Sequence, residues 1–247
     1  MKLTWEISTK DISAIRNVYL KQKAHPVFTR RLNENILCKQ ITLTKESLWT
    51  NIFTCLLTTQ QRSSEDSKIY LFLKDGFQPL KISSLKKVNN IEKHIRKQLK
   101  GFGGIRRNIK IPKEAHSIYH HLNETNWDLL KTIKKYCKEH RGDAIREREL
   151  ANIIVNTPEF KGLGPKQSRN LIQMIGYSQF EIPIDSRITD WLNKNIDLPF
   201  ILNSKGLADN EFYGFVNDAI ILLCKEAKIK PCMFDAAVFS LKEKNSN

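Results

Sequence analysis

Apolar residues recur along this chain at helical spacing, and the alternation that is typical of strands is rare. The clearest example runs from Leu48 to Leu57, where the apolar side chains form one wide stripe behind a predicted N-cap, Thr44. We expect this helix to end in the Thr-Thr-Gln-Gln run that follows it, and a second helix to open at Ser63 or Ser64. Because short helices joined by short turns continue along the chain, the sequence predicts an all-α fold.

The chain carries a strong positive charge. Its 247 residues include 41 lysines and arginines against 26 acids, which gives a formal net charge of +15. Such a balance favours a polyanionic partner, with nucleic acid as the first candidate. The densest basic stretch, residues 81–110, is either an ordinary solvated helix face or a surface that meets phosphates. A content of 40% hydrophobic and 9% aromatic residues excludes a disordered tail protein.

The five cysteines are scattered, odd in number and never arranged as C-x2-C. This pattern argues against a disulfide framework, a zinc ribbon and a cysteine-ligated iron–sulfur cluster. The first residues lack the apolar core of a signal peptide, and no run of 18 apolar residues occurs. We therefore expect an intracellular protein without a membrane partner, located in the cytoplasm or nucleoid, or in the nucleus of a eukaryote.

A tight Gly-x-Gly turn marks the most informative segment. The pattern predicts that one helix ends near Thr157, that Gly162 and Gly164 form the turn, and that Pro165 opens a second helix, which Gly176 ends. Two glycines allow close approach of the backbone to a phosphate, and the free N–H groups of the second helix supply donors. Such a unit can grip a nucleic-acid backbone without reading its sequence. Taken alone, it is also consistent with a plain interhelical turn.

Two chemically useful side chains follow the turn. Lys166 stands at the start of the second helix, and Asp185 stands nineteen residues later, after the extended Ile-Pro-Ile segment. Asp185 is predicted to cap a further helix, and a cap is one complete explanation of its presence. Because both residues lie at helix N-termini with one helix and one turn between them, an amine and a carboxylate can meet in one cleft.

The run from Lys161 to Lys166, followed by Ile-Pro-Ile-Asp185, resembles the helix-hairpin-helix Gly/Pro–Asp superfamily of DNA glycosylases. This group includes endonuclease III and the 8-oxoguanine DNA glycosylases. In the family a lysine after the hairpin marks bifunctional members and an aspartate follows a Val-Pro-Val-like segment, positions that Lys166 and Asp185 match. The Leu-Thr-Thr-Gln60 segment is similar to the family's Leu-Ser-x-Gln segment, whose glutamine fills the gap left by an extruded base. The resemblance spans residues 48–195.

The chain also departs from the family pattern. Arg187 stands where the family usually has a histidine, two residues after the aspartate. The absence of the cysteine quartet of endonuclease III favours the cluster-free 8-oxoguanine type, and the resemblance is closest to the compact microbial enzymes. The segment Pro231-Cys-Met-Phe-Asp235-Ala-Ala-Val-Phe239 is similar to their C-terminal segment, which touches the damaged base. Asp235 and Phe239 are thus pocket candidates, the alternative being a helix that only closes the second domain.

The resemblance implies a base excision repair enzyme, a DNA glycosylase with AP lyase activity that removes an oxidised purine such as 8-oxoguanine. Lys166 would attack the sugar C1′ and form a Schiff base, after which β-elimination nicks the strand. Asp185 would stabilise the oxocarbenium-like sugar. The residues expected to contact DNA are Gln60 as the wedge, Lys161, Gly162, Gly164 and Arg187.

The resemblance also implies an organisation in two helical domains with the DNA cleft between them. The central bundle is expected over residues 50–165, and the second domain over residues 1–49 and 166–247. The expected partner is damaged double-stranded DNA, bound by a monomer, with no catalytic metal or redox cofactor; hairpins of this family often hold a monovalent cation through backbone carbonyls. Two alternatives stay open, namely a monofunctional glycosylase for alkylated or mismatched bases and a non-enzymatic helix-hairpin-helix DNA-binding protein.

Overall fold

The protein is built from helices. The computed structural model describes residues 5–38, 42–61 and 66–243, and within these ranges it contains thirteen α-helices and no strand, which confirms the predicted all-α class. The helices are α1 (Thr9–Gln22), α2 (Pro26–Arg31), α3 (Lys45–Leu57), α4 (Lys68–Leu71), α5 (Ile82–Leu85), α6 (Ile91–Phe102), α7 (Lys110–Glu124), α8 (Asp128–Glu139), α9 (Ala144–Asn156), α10 (Pro165–Met174), α11 (Ser186–Asn195), α12 (Asn210–Ala227) and α13 (Pro231–Glu243).

Small polar side chains begin several of these helices. Thr44 caps α3 as predicted, since its hydroxyl accepts from the backbone N–H of Ser47 at 3.0 Å, and the Ser47 hydroxyl accepts in return from the N–H of Thr44 at 2.8 Å. A capping box of this kind contributes about 1 kcal/mol to helix stability. The predicted caps Ser63 and Ser64 lie outside the described ranges, and α4 is capped by Ser67.

Buried apolar side chains form two clusters. The first is drawn from residues 48–177, which include α3 to α10, and the second joins residues 15–28 of α1 and α2 to residues 182–238. α10 packs mainly against α9 and α3 and contributes buried side chains to the first cluster, including Leu171 and Ile172. The first cluster therefore continues past residue 165, where the sequence placed the domain boundary. That division into domains stays a prediction.

After α10 the chain crosses from the first cluster to the second, and the candidate site lies at this crossing. The segment of residues 177–185 leaves the first cluster at Tyr177 and enters the second at Ile182. No helix in the described ranges combines the length and the apolar character that a membrane crossing requires.

Candidate active site

Residues 157–164, here called the hairpin, join α9 to α10, and Pro165 occupies the first turn of α10 as predicted. Gly162 has φ +93°, and a Cβ there would lie 2.7 Å from Glu114 Oε2 and 2.8 Å from Leu56 Cδ2. Gly164 is different, because nothing lies within 4 Å of the place its Cβ would take. Gly162 is therefore required by the packing of the hairpin, whereas Gly164 leaves the backbone open to an incoming group.

The start of α10 offers positive charge and free donors. Lys161 and Gly164 are exposed, and the backbone N–H groups of Lys166 and Gln167 precede the first hydrogen bond of the helix. The Gln167 side chain donates to the Thr59 hydroxyl at 2.8 Å, which ties the first turn of α10 to the segment after α3. This end of α10 is chemically suited to an anion such as a phosphate.

The two glutamines after α3 differ in their environment. Gln61 is held in place, because its amide donates to the Arg106 carbonyl at 3.2 Å and accepts from the Arg106 N–H at 2.6 Å. Gln60 is exposed and has the left-handed backbone conformation, with φ +58°. Of the two, Gln60 is the side chain that remains available to a ligand; its role as a wedge stays a prediction.

Lys166 lies half-buried at the first turn of α10, within electrostatic range of the predicted partner Asp185. Burial lowers the pKa of the Lys166 amine below its ordinary value, and the charge of Arg187 acts in the same direction. The carboxylates of Asp185 and Asp235 act in the opposite direction but do not outweigh burial. The site therefore favours the neutral, nucleophilic form of this lysine more than water does.

Asp185 caps α11 as predicted, and its carboxylate also pairs with the Arg187 guanidinium. Its Oδ1 accepts from the backbone N–H groups of Arg187 and Ile188 at 2.8 and 3.2 Å, while its Oδ2 accepts from Arg187 Nε at 2.8 Å. Burial acts to raise the pKa of this carboxyl, but the Arg187 guanidinium and the Lys166 charge outweigh it and hold the pKa below its ordinary value. Asp185 is thus kept ionised beside a lysine that is biased toward neutrality.

The two pocket candidates of α13, Asp235 and Phe239, lie near Asp185 and Arg187. The guanidinium of Arg187 stacks on the Phe239 ring, with its Cζ 3.9 Å from the ring centroid. Asp235 is 6% exposed and faces Arg31, whose Nη2 lies 3.7 Å from Asp235 Oδ2. Burial raises the pKa of Asp235 to about 6, and Asp235 interacts electrostatically with both Asp185 and Lys166. Helices α10, α11 and α13 therefore bring Lys166, Asp185, Arg187, Asp235 and Phe239 together.

Two residues of this cluster were not foreseen from the sequence. Gln173 is fully buried, its amide acts on the Asp235 carboxyl as a hydrogen-bond donor that lowers the Asp235 pKa, and its amide oxygen has no partner among the described residues. Nε of Arg31 also has no partner among them. A glutamine between Ile172 and Met174 on the apolar stripe of α10 is a signal that sequence reasoning can use, since buried polar groups normally find partners. Nothing in the sequence of α2 distinguishes Arg31 from other basic residues.

The site has no preformed group of metal ligands in the part of the chain that the structure describes. No three histidine, cysteine, aspartate or glutamate side chains are grouped there as a metal ion requires, and all five cysteines are free thiols. A monovalent cation held by hairpin carbonyls stays a prediction. The chemistry that this site offers is that of an amine, a carboxylate and guanidinium groups.

Comparison with known proteins is informative at the level of structure. No protein-family model matches the chain, and no curated protein matches its sequence. Among solved structures, the crystal structure of the Methanocaldococcus jannaschii 8-oxoguanine DNA glycosylase matches with a TM-score of 0.67 over 95% of both chains, at 16% sequence identity. Because the identity is low, the likeness concerns the fold. The chain has the same helical fold as that glycosylase over almost its whole length.

Proposed function

We propose that the protein is a DNA glycosylase with AP lyase activity that removes an oxidised purine, 8-oxoguanine, from damaged double-stranded DNA. The observation that carries the proposal is the electrostatic pairing of Lys166 and Asp185 at the N-termini of α10 and α11, with Lys166 directly after the hairpin. A binding protein has no need of a half-buried amine with a lowered pKa within electrostatic range of an ionised carboxylate. The shared fold with the M. jannaschii enzyme supports the same reaction class.

The proposed chemistry follows from the charge states. Neutral Lys166 attacks C1′ of the extruded nucleotide, and the C–N glycosidic bond breaks with its electron pair on the departing base. The lysine nitrogen gives one proton to the departing base, and the C1′–O4′ bond then breaks as O4′ takes up a proton from solvent, so the sugar ring opens to a protonated Schiff base. Loss of a C2′ proton to solvent then breaks the C3′–O bond and releases the 3′ phosphate. Asp185 stabilises the positive charge that develops on the sugar, which is greatest in the transition state.

The base is proposed to enter beside Asp235. The Gln173 amide oxygen and Arg31 Nε have no partner in the described residues, and such an acceptor and donor match a base edge that carries both a donor and an acceptor. 8-Oxoguanine presents such an edge, with an N–H and a carbonyl that guanine lacks at those positions. Phe239 lies one helical turn after Asp235 on α13, and one face of its apolar ring is covered by the Arg187 guanidinium.

The DNA partner is proposed to lie along the hairpin. The exposed Lys161, the open backbone at Gly164 and the N-terminus of α10 would contact one strand, while Gln60 fills the space left by the extruded base. These contacts need no particular base, so lesions in any sequence context are proposed substrates; the protein is also proposed to act as a monomer. Such a substrate places the protein inside the cell.

Borohydride trapping tests the proposal. The protein is incubated with duplexes that carry 8-oxoguanine, thymine glycol or uracil, and the reduced covalent complex is measured. We expect trapping and nicking on the 8-oxoguanine duplex, both abolished in Lys166→Gln, with binding to the same duplex largely kept. Asp185→Asn, which retains a good helix cap, should slow base excision about 100-fold or more. Lys194→Gln, at an exposed lysine of α11, is the matched control and should trap normally.

The other outcomes separate the competing functions. Base excision that persists in Lys166→Gln while nicking is lost would indicate a water nucleophile, as in monofunctional glycosylases for alkylated or mismatched bases. Duplex binding without excision of any of the three bases would indicate a non-enzymatic DNA-binding protein. Trapping on thymine glycol instead of 8-oxoguanine would overturn the assignment of the purine.

A further inference from the structure

A fully buried ion pair lies close in sequence to both candidate reacting groups. Arg169 and Glu181 are both 0% exposed, and Arg169 Nε donates to Glu181 Oε2 at 2.9 Å. Arg169 lies on α10 one turn after Lys166, and Glu181 lies four residues before Asp185. The pair therefore joins the two segments that carry the candidate reacting groups.

Further partners fix both members of the pair. Glu181 Oε1 accepts from Arg148 Nε on α9 at 2.8 Å and from Asn217 Nδ2 on α12 at 3.0 Å. Arg169 Nη1 donates to Asn210 Oδ1 on α12 at 2.8 Å. Four segments of the fold thus meet at one carboxylate and one guanidinium, and the direction of each hydrogen bond is set.

Tyr213 extends the same contact network to the backbone next to Asp185. Its ring lies under Arg169, with the guanidinium carbon 4.8 Å from the ring centroid. Its hydroxyl donates to the Ile182 carbonyl at 2.9 Å and accepts from the Ile184 N–H at 2.5 Å. The extended segment before Asp185 is therefore held at both ends by side chains of α10 and α12.

A buried ion pair usually adds little to the free energy of unfolding. Moving two charges out of water costs several kcal/mol per ion, and well-packed apolar residues often serve the fold equally well or better. What the pair provides instead is a fixed direction and separation between two segments. We propose that Arg169 and Glu181 are positioning residues that hold the Lys166 amine next to the Asp185 carboxylate. The consequence for activity rests on the proposed function; the consequence for geometry does not.

The geometric part can be tested without DNA. The pKa of Lys166 is measured by NMR on protein with isotope-labelled lysines, with Lys166→Gln used to identify the signal. In the wild-type background, Asp185→Asn removes a neighbouring negative charge and should lower the Lys166 pKa by about 1 unit. In the Arg169→Lys background the same substitution should change that pKa by less than half as much. An equal change in both backgrounds, or no change in the wild-type background, would overturn the proposal.

Two further variants guard against simple loss of the fold. Glu181→Gln leaves Arg169 buried and unpaired, which can unfold the chain, so the pair is also removed together as Arg169→Met with Glu181→Leu. This double variant should fold. In it, Asp185→Asn should change the Lys166 pKa by less than half as much as in wild type, and we call this change the coupling between Lys166 and Asp185. Leu122→Ala, a cavity variant on α7 within the first cluster, is the matched control for lost stability and should keep the wild-type coupling.

A positioning role predicts that Arg169→Lys lowers the rate of base excision but not the affinity for DNA. In Arg169→Lys the single-turnover excision rate on the trapped duplex should fall about 10- to 100-fold, because small displacements of reacting groups have effects of this size. The dissociation constant for the same duplex should change less than about threefold, since both side chains of the pair are fully buried and do not touch the DNA. Wild-type protein that excises no base would refute the proposed function only, because the NMR coupling is measured without substrate. An Arg169→Lys rate equal to that of Leu122→Ala would refute the positioning role.

Discussion

At the scale of single residues, Arg187 acts on the pKa values of both candidate reacting groups. The positive charge of Arg187 reinforces the effect of burial on the Lys166 pKa, and it holds the Asp185 pKa down against the effect of burial. Arg187→Gln should therefore raise the pKa of Lys166. Because the reaction needs the neutral amine, the rising limb of the trapping rate should move to higher pH, as measured by single-turnover trapping between about pH 5 and 10. A limb that stays in place or moves to lower pH contradicts this assignment.

Asp235 links the stability of the protein to pH. Burial raises the pKa of its carboxyl to about 6 in the folded state, from 3.8, so its protonated form favours folding. This contribution is complete below the unfolded pKa and is lost as the pH rises through 6. Asp235→Asn cannot ionise, and its free energy of unfolding should therefore rise relative to wild type, by on the order of 2–3 kcal/mol between about pH 4 and 7.

Urea unfolding of both proteins at the two pH values measures this difference. Asparagine does not pair with Arg31 as a carboxylate does, so the variant can be less stable than wild type at each pH. Only the change of the difference with pH reports the linkage. A difference that is the same at both pH values would show that the Asp235 pKa is not raised by folding.

At the scale of elements, the two glycines of the hairpin have separable roles. Gly162→Ala introduces a side chain at positive φ and within 3 Å of Glu114 and Leu56, so it should destabilise the fold by about 1–3 kcal/mol. Gly164→Asn keeps a good helix cap in open space and should leave the unfolding free energy nearly unchanged. It should nevertheless weaken binding to damaged and undamaged duplexes alike, because it adds bulk where a phosphate would approach.

Chemical denaturation and duplex titration give the two measurements. A Gly164→Asn protein that binds as tightly as wild type would place the phosphate elsewhere. Weaker binding only to the damaged duplex would point to the pocket and not to the backbone contact.

At the scale of the whole molecule, the net charge of +15 predicts binding to duplex DNA that depends strongly on salt. If 4–6 phosphates are neutralised, the slope of log K against log salt should be about −4 to −5. Lys161→Ala should reduce the magnitude of that slope by about 1, since it removes one phosphate contact next to the hairpin. Titrations of an undamaged duplex between about 50 and 200 mM salt provide the slopes. A slope near zero would remove the electrostatic basis of the proposed interface.

Much of the local structure could be read from the sequence because it depends on groups only a few residues apart. Thr44 and Asp185 cap their helices by bonding N–H groups two or three residues ahead, and Pro165 opens α10 because its ring suits the first turn. Helical spacing predicted the all-α class for the same reason, since it reflects one face of one element at a time. The choice of Lys166 and Asp185 came from the resemblance and from their places at these helix starts.

The surroundings of those two residues were decided only by the tertiary structure. Arg31 of α2 meets Asp235 of α13, and Arg169 meets Glu181 through the packing of α9, α10 and α12, so partners lie far apart in the chain or on separate elements. A basic residue in a basic chain gives no sign that it will be buried, because burial depends on which surfaces come together and not on its neighbours in sequence. The sequence alone therefore determined the all-α class and local caps such as Thr44 and Asp185, whereas the packing of the two clusters determined the charge environment of the site.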